Sequence, residues 1–250
     1  MTRPLFYSAE VSDAVVGQTV QLDAKASAHA IRSQRLTEHS LILVSDGSGV
    51  LAEATITSAD PQQTKVRVDA IDVQVKSSVA INLVQALAKG DRDLLAAEMA
   101  TELGVDEVTP WQSLRSIVRI RPERAAKMHT KWQTKLRAAA QQSRRAIIPR
   151  LNPLVQGKAL ADLHDPRNGQ YLVVLHEDGR DTLSSVVDAL PETTSCVHVG
   201  VGPEGGVSDE ELAAVAQAGG SVVQIGSHIM RASTAGPVAI TLLNHLLKRW

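Results

Sequence analysis

The stretch from residue 196 to residue 211 reads Cys196-Val-His-Val-Gly-Val-Gly-Pro-Glu-Gly-Gly-Val-Ser-Asp-Glu-Glu211. Its first residues form a short apolar run of the kind found in buried strands, and a glycine-rich segment follows. Ser208 and Glu211 then have the Ser-x-x-Glu spacing of a capping box, which predicts the start of a helix. A strand, a glycine loop and a helix in succession favour an α/β fold with a mainly parallel sheet.

Strand and helix patterns alternate on both sides of this stretch. Apolar runs predict further buried strands at residues 79–84, 171–175 and 222–225. Helical signals predict helices at residues 91–103 and 122–144 and a last helix that runs to the C-terminus. On the first and last of these helices the pattern places the following side chains in the core: Leu94, Leu95, Met99, Leu103, Leu242, Leu243, Leu246 and Leu247.

The first 72 residues have a different rhythm, of short strands separated by turns. Residues 41–44 and 50–56 flank the turn sequence Asp46-Gly-Ser-Gly49, which is a hairpin signal. Alternation of apolar and polar residues continues through residues 64–73. We therefore expect a small, mostly antiparallel, barrel-like β-domain at residues 1–74 and an α/β domain at residues 75–250.

Composition limits the class of protein. The chain has 250 residues, of which 44% are hydrophobic, and a single cysteine, Cys196, so an internal disulfide or a cysteine-rich zinc site is excluded. No uncharged apolar run approaches the ~18 residues of a membrane span, and residues 1–10 lack a signal-peptide pattern. We expect a cytoplasmic protein that binds neither a membrane nor a metal.

The net charge of −1 conceals a strong asymmetry. Residues 1–75 carry six basic and nine acidic side chains, whereas residues 76–156 carry fourteen and seven, and residues 157–250 carry six and eleven. Between Arg115 and Arg150 there are eleven basic residues and one acid, Glu123. Such a block is either a solvated helix face or a surface for a polyphosphate, and with so few acids to balance it we favour RNA.

The glycine-rich stretch after the predicted strand matches the Gly-x-Gly-x-x-Gly spacing of dinucleotide-binding sites through Gly200, Gly202 and Gly205. Pro203 stiffens the loop, however, and no acid that could bind a ribose lies about twenty residues further on, near Gln224. A nicotinamide-dependent oxidoreductase is therefore disfavoured. A tight strand-to-helix turn that needs glycine for its backbone remains the alternative to a ligand loop.

Two further loops follow predicted strands. Gly226-Ser-His-Ile-Met-Arg-Ala-Ser-Thr-Ala-Gly236 is polar and basic and enters the last helix with Ser233 or Thr234 as candidate caps, and His176-Glu-Asp-Gly179 follows another strand. The carboxyl ends of parallel strands usually form the ligand crevice of an open α/β sheet. We expect a ligand site where these loops and the glycine loop meet.

Five motifs in the same order resemble the RsmE family, the SPOUT-superfamily methyltransferases of bacterial small-subunit ribosomal RNA. These motifs are Gln85-Ala-Leu-Ala-Lys-Gly-Asp-Arg92, Thr101-Glu-Leu-Gly-Val105, Ala140-Gln-Gln-Ser-Arg-Arg145, Gly200-Val-Gly-Pro-Glu-Gly-Gly-Val-Ser208 and Ile225-Gly-Ser-His-Ile-Met-Arg-Ala-Ser-Thr-Ala235. The resemblance implies an N-terminal PUA-like β-barrel that binds RNA, a SPOUT α/β domain closed by a trefoil knot, and a homodimer. It further implies S-adenosylmethionine-dependent methylation of N3 of a uridine in 16S rRNA of the small ribosomal subunit.

The resemblance also implies site residues. Those expected to bind the cofactor are Leu175, His176, Gly200, Gly202, Pro203, Glu204, Gly205, Gly206, Ile225, Gly226, Ile229, Met230, Ser233 and Ala235. Those expected to bind RNA are Arg3, Arg32, Arg35, Lys89, Arg92, Arg115, Gln141, Arg144 and Arg145. Arg231 is the candidate catalytic residue, because a guanidinium can stabilise charge that develops on the uracil oxygens; a phosphate contact or a salt bridge is the alternative role.

Two departures from the family pattern bear on the site. Ser233 stands where the family has a glutamate, and Arg32-Ser-Gln-Arg35 differs from the usual basic segment of the first domain. Glu204 could bind the cofactor or cap the next helix, and His176 could assist proton removal or be an ordinary loop histidine. Methylation of a ribose 2′-hydroxyl or of another base, and a non-catalytic RNA-binding assembly factor, remain alternative functions.

Overall fold

The computed structural model describes residues 3–250; Met1 and Thr2, which begin the expected β-domain, lie outside the described residues. The chain forms two compact units. The first comprises the chain up to Lys76 together with Arg137–Ile148, and the second comprises Ser77–Leu136 and Pro149–Trp250.

The first unit is built on a curled five-stranded sheet with the strand order β1-β3-β4-β5-β2. The strands are β1 Leu5–Tyr7, β2 Thr19–Gln21, β3 Leu41–Ser45, β4 Val50–Ser58 and β5 Lys65–Val73. The predicted hairpin of β3 and β4 is confirmed, and only β1 pairs in parallel among the described strands of this sheet. Asp46 Oδ1 accepts hydrogen bonds from the amides of Ser48, Gly49 and Val50, which fixes the hairpin turn.

The segment from Arg137 to Ile148 is part of the first unit although it is distant in sequence. The Tyr7 hydroxyl donates to the carbonyl of Arg145 at 2.7 Å, and the Ser45 hydroxyl donates to the carbonyl of Ala146 at 2.8 Å. Burial raises the pKa of Tyr7 to about 12, so the phenol remains a donor at neutral pH. These bonds attach the segment to strands β1 and β3.

The second unit contains a parallel sheet with the order β12-β10-β11-β6-β7-β8, and β9 also pairs with β7. Its strands are β6 Ala80–Ala86, β7 Glu107–Gln112, β8 Arg150–Leu151, β9 Val155–Gln156, β10 Gln170–Leu175, β11 Cys196–Val201 and β12 Ser221–Val223. The α-helices of residues 3–250 are α1 Ala24–Ala28, α2 Arg92–Glu102, α3 Ala125–Gln142, α4 Leu183–Asp188, α5 Asp209–Ala218 and α6 Ala232–Leu246. The predicted α/β alternation is confirmed.

Helices α2 and α6 pack against each other and against β6. A side chain at Gly236 would approach Leu83 Cδ1 to 2.8 Å, so glycine permits α6 to lie close to the sheet. Two predicted core residues are wrong: Leu95 is 45% exposed and Leu242 is 39% exposed. Consecutive residues of an α-helix point about 100° apart, so Leu95 turns away from the face on which Leu94, Ala97 and Ala100 are buried.

A polar network is buried at the amino-terminal end of the parallel sheet. His198 on β11 is 5% exposed; its Nδ1 lies 2.8 Å from Asn82 Nδ2 and its Nε2 lies 2.9 Å from Gln170 Oε1. Asn82 also bonds Thr109 on β7, so side chains from four strands take part. Burial lowers the pKa of His198 to about 4, and the neutral ring accepts from Asn82 and donates to Gln170.

We expect His198 to make folding sensitive to mild acid. The folded protein holds this ring neutral down to a pKa of about 4, whereas the unfolded chain protonates it near 6.5. Stability is therefore lost as the pH falls from 6.5 towards 4, by about 2–3 kcal/mol for this shift. Urea unfolding at pH 7 and pH 4.5 measures the loss, which should shrink by this amount in His198→Gln.

Thr109→Val is the matched control, because it removes the hydroxyl that bonds Asn82 and Asn152 but no titrating group. It should lower stability by a similar amount at both pH values. An equal acid-induced loss in wild type and His198→Gln would contradict the assignment of the effect to this histidine.

Candidate active site

Three loops meet at one edge of the parallel sheet because three strands end in register. Leu175, the last residue of β10, pairs with Val201 at the end of β11 and with Val223 at the end of β12. The loops that follow these strands therefore begin side by side. They contain every residue before α6 that the sequence assigned to the cofactor, apart from the strand residues Leu175 and Gly200.

The glycine loop, defined here as residues 202–207, is a tight turn. A side chain at Gly202 would come within 2.8 Å of Val207 Cγ2, and Gly206 has a φ of +74° and donates to the carbonyl of Pro203. The predicted capping box of Ser208 and Glu211 at the start of α5 is confirmed. The loop is therefore held in one conformation by its own backbone and by the helix that follows it.

Glu204 does not cap α5, because Ser208 fills that position. Its Oε1 instead accepts from the amide of Lys89 at 3.2 Å and from Arg92 Nη1 at 3.3 Å. Lys89 and Arg92, which the sequence predicts to bind RNA, thus bind Glu204, which it predicts to bind the cofactor. This contact ties the glycine loop to the turn before α2.

The loop after β10 crosses the end of β12 at very short range. The amide of His176 donates to the carbonyl of Val223, and the amide of Gln224 donates to the carbonyl of Asp181 at 3.1 Å. A side chain at Gly179 would lie 2.3 Å from the carbonyl carbon of Val223, so only glycine fits. Sequence reasoning missed this role of Gly179; its one local signal is a glycine directly after the polar segment 176–178.

The loop after β12, residues 224–231, is open. Ile229 is 84% exposed, and nothing lies within 4 Å of the position that a side chain would take at Gly226. The predicted caps Ser233 and Thr234 are wrong, since α6 begins at Ala232 and both residues lie inside it. The helix has no side-chain cap because Arg231 occupies that position with an extended backbone, and Ser233 is buried.

Arg231 is exposed, and its carbonyl accepts from the amides of Thr234 and Ala235. Its guanidinium has no carboxylate partner among residues 3–250. A cation at the amino end of a helix is unfavourable for the helix itself, because that end carries partial positive charge. The alternative of a salt bridge is thus absent from the described part of the chain, and the guanidinium and the helix end can act together on an anion.

His176 lies beside these loops with 16% of its side chain exposed. Its Nδ1 accepts from the amide of Asp178 at 3.2 Å, a bond that places the proton of the neutral ring on Nε2. In this tautomer the ring offers no free acceptor to a substrate.

The residues assigned to RNA fall into different environments. Arg3 pairs with Glu53, while Arg32 and Arg35 are exposed at the end of the helical segment that follows α1. Gln141 is committed to the protein, since its Nε2 donates to the carbonyl of Leu5 at 2.8 Å. Arg144 is exposed in a left-handed conformation, with a φ of +57°, just before Arg145.

Ion pairs neutralise part of the basic block. Lys131 pairs with Asp91, Lys135 with Glu98 and Arg150 with Glu107. Arg121, Arg124 and Lys127, at and before the start of α3, are exposed, and within residues 3–250 they have no acidic partner. Sequence reasoning counted these three in the block but did not single them out, because pairing depends on contacts that are distant in the chain.

Neither a metal site nor a membrane-spanning helix is found in the part of the chain that the structure describes. No group of three or more metal-binding side chains of the His, Cys, Asp and Glu types comes together there. No helix in residues 3–250 combines the length and the apolar character that crossing a membrane requires.

Comparisons with known proteins agree with this arrangement. Residues 75–244 match the model of the RNA methyltransferase domain family. The ribosomal RNA small subunit methyltransferase E of Mycobacterium bovis is 31% identical over 252 residues, an alignment that covers 100% of this chain and 94% of the relative. That of Bacillus subtilis is 25% identical over 223 residues, covering 87% of this chain and 86% of the relative. The crystal structure of the Neisseria gonorrhoeae enzyme of this name, bound to S-adenosyl methionine, superposes with a TM-score of 0.84 at 27% identity and 98% coverage of both chains. This chain belongs to the ribosomal RNA small subunit methyltransferase E family.

Proposed function

We propose that this protein transfers a methyl group from S-adenosylmethionine to N3 of a uridine in 16S rRNA of the small ribosomal subunit. The observation that carries the proposal is the meeting of three loops at one sheet edge, next to an unpaired guanidinium at the start of α6. The family relationship and the cofactor in the related Neisseria structure support it. A ribosomal RNA substrate places the protein in the cytoplasm.

The residues present fit the cofactor. The glycine loop is kept compact by glycines that cannot carry side chains, and the backbone near Gly226 is open to a ligand. We assign the cofactor to Leu175 and His176, to Gly200–Gly206, to Ile225–Met230, and to Ser233 and Ala235. Ile225 and exposed Ile229 supply apolar surface for a purine ring. When bound, S-adenosylmethionine supplies an electrophilic methyl group.

Arg231 acts on the nucleotide. Loss of the N3 proton of uracil places negative charge on the two neighbouring carbonyl oxygens, and a guanidinium can donate to an oxygen that becomes charged. The exposed side chain at the amino end of α6 is free to do this, and the partial positive charge of the helix end adds to it. Methyl transfer itself requires in-line placement of the two reacting atoms, a task that we assign to the three loops.

RNA contacts extend over both units in this proposal. Six exposed basic residues have no acidic partner among residues 3–250: Arg121, Arg124 and Lys127 in the second unit, and Arg32, Arg35 and Arg144 in the first. We assign residues 1–74, together with the segment Arg137–Ile148 of the same unit, to a PUA-like RNA-binding barrel, and the remainder of residues 75–250 to a SPOUT methyltransferase domain. The curled, mainly antiparallel sheet of the first unit is compatible with such a barrel.

We also infer a trefoil knot at the carboxyl edge of the parallel sheet. After β12, at the sheet margin, the chain returns as α6 to pack on β6 and β11 in the middle of the sheet. The loop after β10 crosses residues 223 and 224 just before this return. A return of the chain through that loop would produce the knot expected from the resemblance.

A homodimer is supported by apolar side chains on the two packed helices α2 and α6. Leu95 and Leu242 are large, exposed and uncharged, and Trp250 is 66% exposed beyond the end of α6. Burial of such surface favours association. Sedimentation of the purified chain should give twice its mass of 26.7 kDa, and a monomer would refute the proposal.

Methyl transfer can be tested directly with small ribosomal subunits from a strain that lacks this modification. Purified protein and labelled S-adenosylmethionine should yield 3-methyluridine after digestion of the RNA and mass analysis of its nucleosides. A labelled 2′-O-methyl nucleoside or another labelled base would overturn the assigned position. Binding of RNA without binding of the cofactor would instead identify an RNA-binding assembly factor.

Arg231→Lys is the informative variant in that assay. It keeps the positive charge but loses the planar donors, so we expect turnover to fall by about 10²–10³-fold, as for loss of an oxyanion donor. The Kd for the cofactor, measured by calorimetry, should change less than threefold. Wild-type turnover in this variant would exclude the proposed role.

Two pairs of basic residues, one at the start of α3 and just before it and one further along the helix, test the RNA surface. Arg124→Gln with Lys127→Gln removes two unpaired charges, whereas Lys131→Gln with Lys135→Gln removes two charges that are paired with Asp91 and Glu98. We expect the first pair to weaken RNA binding and to reduce the slope of log K against log salt by about 1.4, at ~0.7 per lost phosphate contact. The second pair should change the slope much less; equal effects would mean that the surface is not where we place it.

A further inference from the structure

One buried carboxylate joins two loops that are almost one hundred residues apart in sequence. Glu211 is fully buried, and its Oε1 accepts from the amide of Leu114 at 2.8 Å. Its Oε2 accepts from the hydroxyl of Ser113 at 3.1 Å and from the amide and hydroxyl of Ser208 at 3.0 and 2.9 Å. The turn 113–116, which follows β7, is thus linked through Glu211 to Ser208, the residue directly after the glycine loop.

Capping of helix α5 does not account for all four hydrogen bonds that Glu211 accepts. In a capping box the third helical residue accepts from the amide of the capping residue, as Glu211 does with Ser208. Helix α4 has the same arrangement in Thr182 and Ser185, both of which are exposed and bond each other locally. The two bonds from residues 113 and 114 are therefore additional to capping.

Arg115, in the turn 113–116, bonds the glycine loop directly. Its Nη1 donates to the carbonyls of Val207 at 3.3 Å and Gly205 at 3.5 Å, and its amide donates to Ser113 Oγ at 3.3 Å. A side chain at Gly205 would lie 3.3 Å from the carbonyl oxygen of Arg115, so the two segments are in direct contact. The result is a closed ring of hydrogen bonds through Glu211, the turn 113–116, Arg115 and the glycine loop.

We propose that Glu211 is a positioning residue that holds the turn 113–116 and the glycine loop as one element, and thereby sets both the cofactor site and the position of Arg115 towards RNA. This proposal rests on the proposed function, since it assigns the glycine loop to the cofactor and Arg115 to the nucleic acid. A carboxylate suits the task because it accepts all four hydrogen bonds at once, whereas an amide or a hydroxyl does not.

Ser113→Ala tests the ring without touching the cap. It removes the hydroxyl that donates to Glu211 and accepts from Arg115, and it leaves the bonds between Ser208 and Glu211 in place. We expect the Kd for S-adenosylmethionine to rise about five- to tenfold, the effect of one or two hydrogen bonds, and the KM for RNA to rise with it. Glu211→Gln should produce a larger change in the same two quantities.

Ser185→Ala in α4 is the matched control, since it removes a capping-box hydroxyl that has no bond to either loop. It should leave both quantities within twofold of wild type while lowering the melting temperature about as much as Ser113→Ala. The proposal is overturned if Ser113→Ala and Ser185→Ala affect cofactor affinity equally.

Amide hydrogen exchange of the free protein keeps this test separate from the proposed function. In Ser113→Ala the amides of Gly202 and of residues 204–207 should exchange at least fivefold faster than in wild type, although the substitution lies about ninety residues away in sequence. Faster exchange without any cofactor binding by wild type would refute the proposed function but leave the ring intact. Unchanged exchange would refute the ring, whatever the enzyme methylates.

Discussion

The parallel register of β10, β11 and β12 is the constraint on which the site depends. Because Leu175 pairs with both Val201 and Val223, the three strands stop at one level and release their loops at the same edge. Ladder hydrogen bonds fix this level, and a shift of one residue would turn each side chain to the opposite face of the sheet. The crossing at Gly179, the compact glycine loop and the position of Arg231 all follow from strands that end together.

Local patterns in the sequence were enough to predict most elements near this edge. The apolar run before Gly200, the capping box of Ser208 and the hairpin around Asp46 each depend on residues that are close in the chain. Strand β7 was not predicted, because Pro110 lies within it and Glu107 begins it, both of which are unusual in a central strand. The tight fit at Gly179 and the extra bonds to Glu211 join residues far apart in sequence, so no local pattern reveals them. Leu95 and Leu242 were predicted to be buried but are exposed, because helical periodicity does not show how wide a face of the helix is covered by its neighbours.

The basic block shows how structure refines a charge count. Eleven basic residues lie between Arg115 and Arg150, but three of them form ion pairs with acids of the same chain: Lys131, Lys135 and Arg150. Exposed ion pairs contribute little to stability, but they reduce the charge available to a polyanion. Among residues 3–250, the basic residues of the block that lack an acidic partner include Arg121, Arg124 and Lys127, before and at the start of α3, and Arg144 after its end.

The segment Arg137–Ile148 gives the first unit a discontinuous covalent structure. Its contacts with β1 and β3, through Tyr7 and Ser45, mean that the first unit includes residues translated after residues 77–136 of the second unit. On the ribosome, the N-terminal sheet cannot reach its final state until about 150 residues have emerged. In evolution, the same arrangement prevents this unit from being exchanged between genes as one uninterrupted cassette, so the two units have to be inherited together.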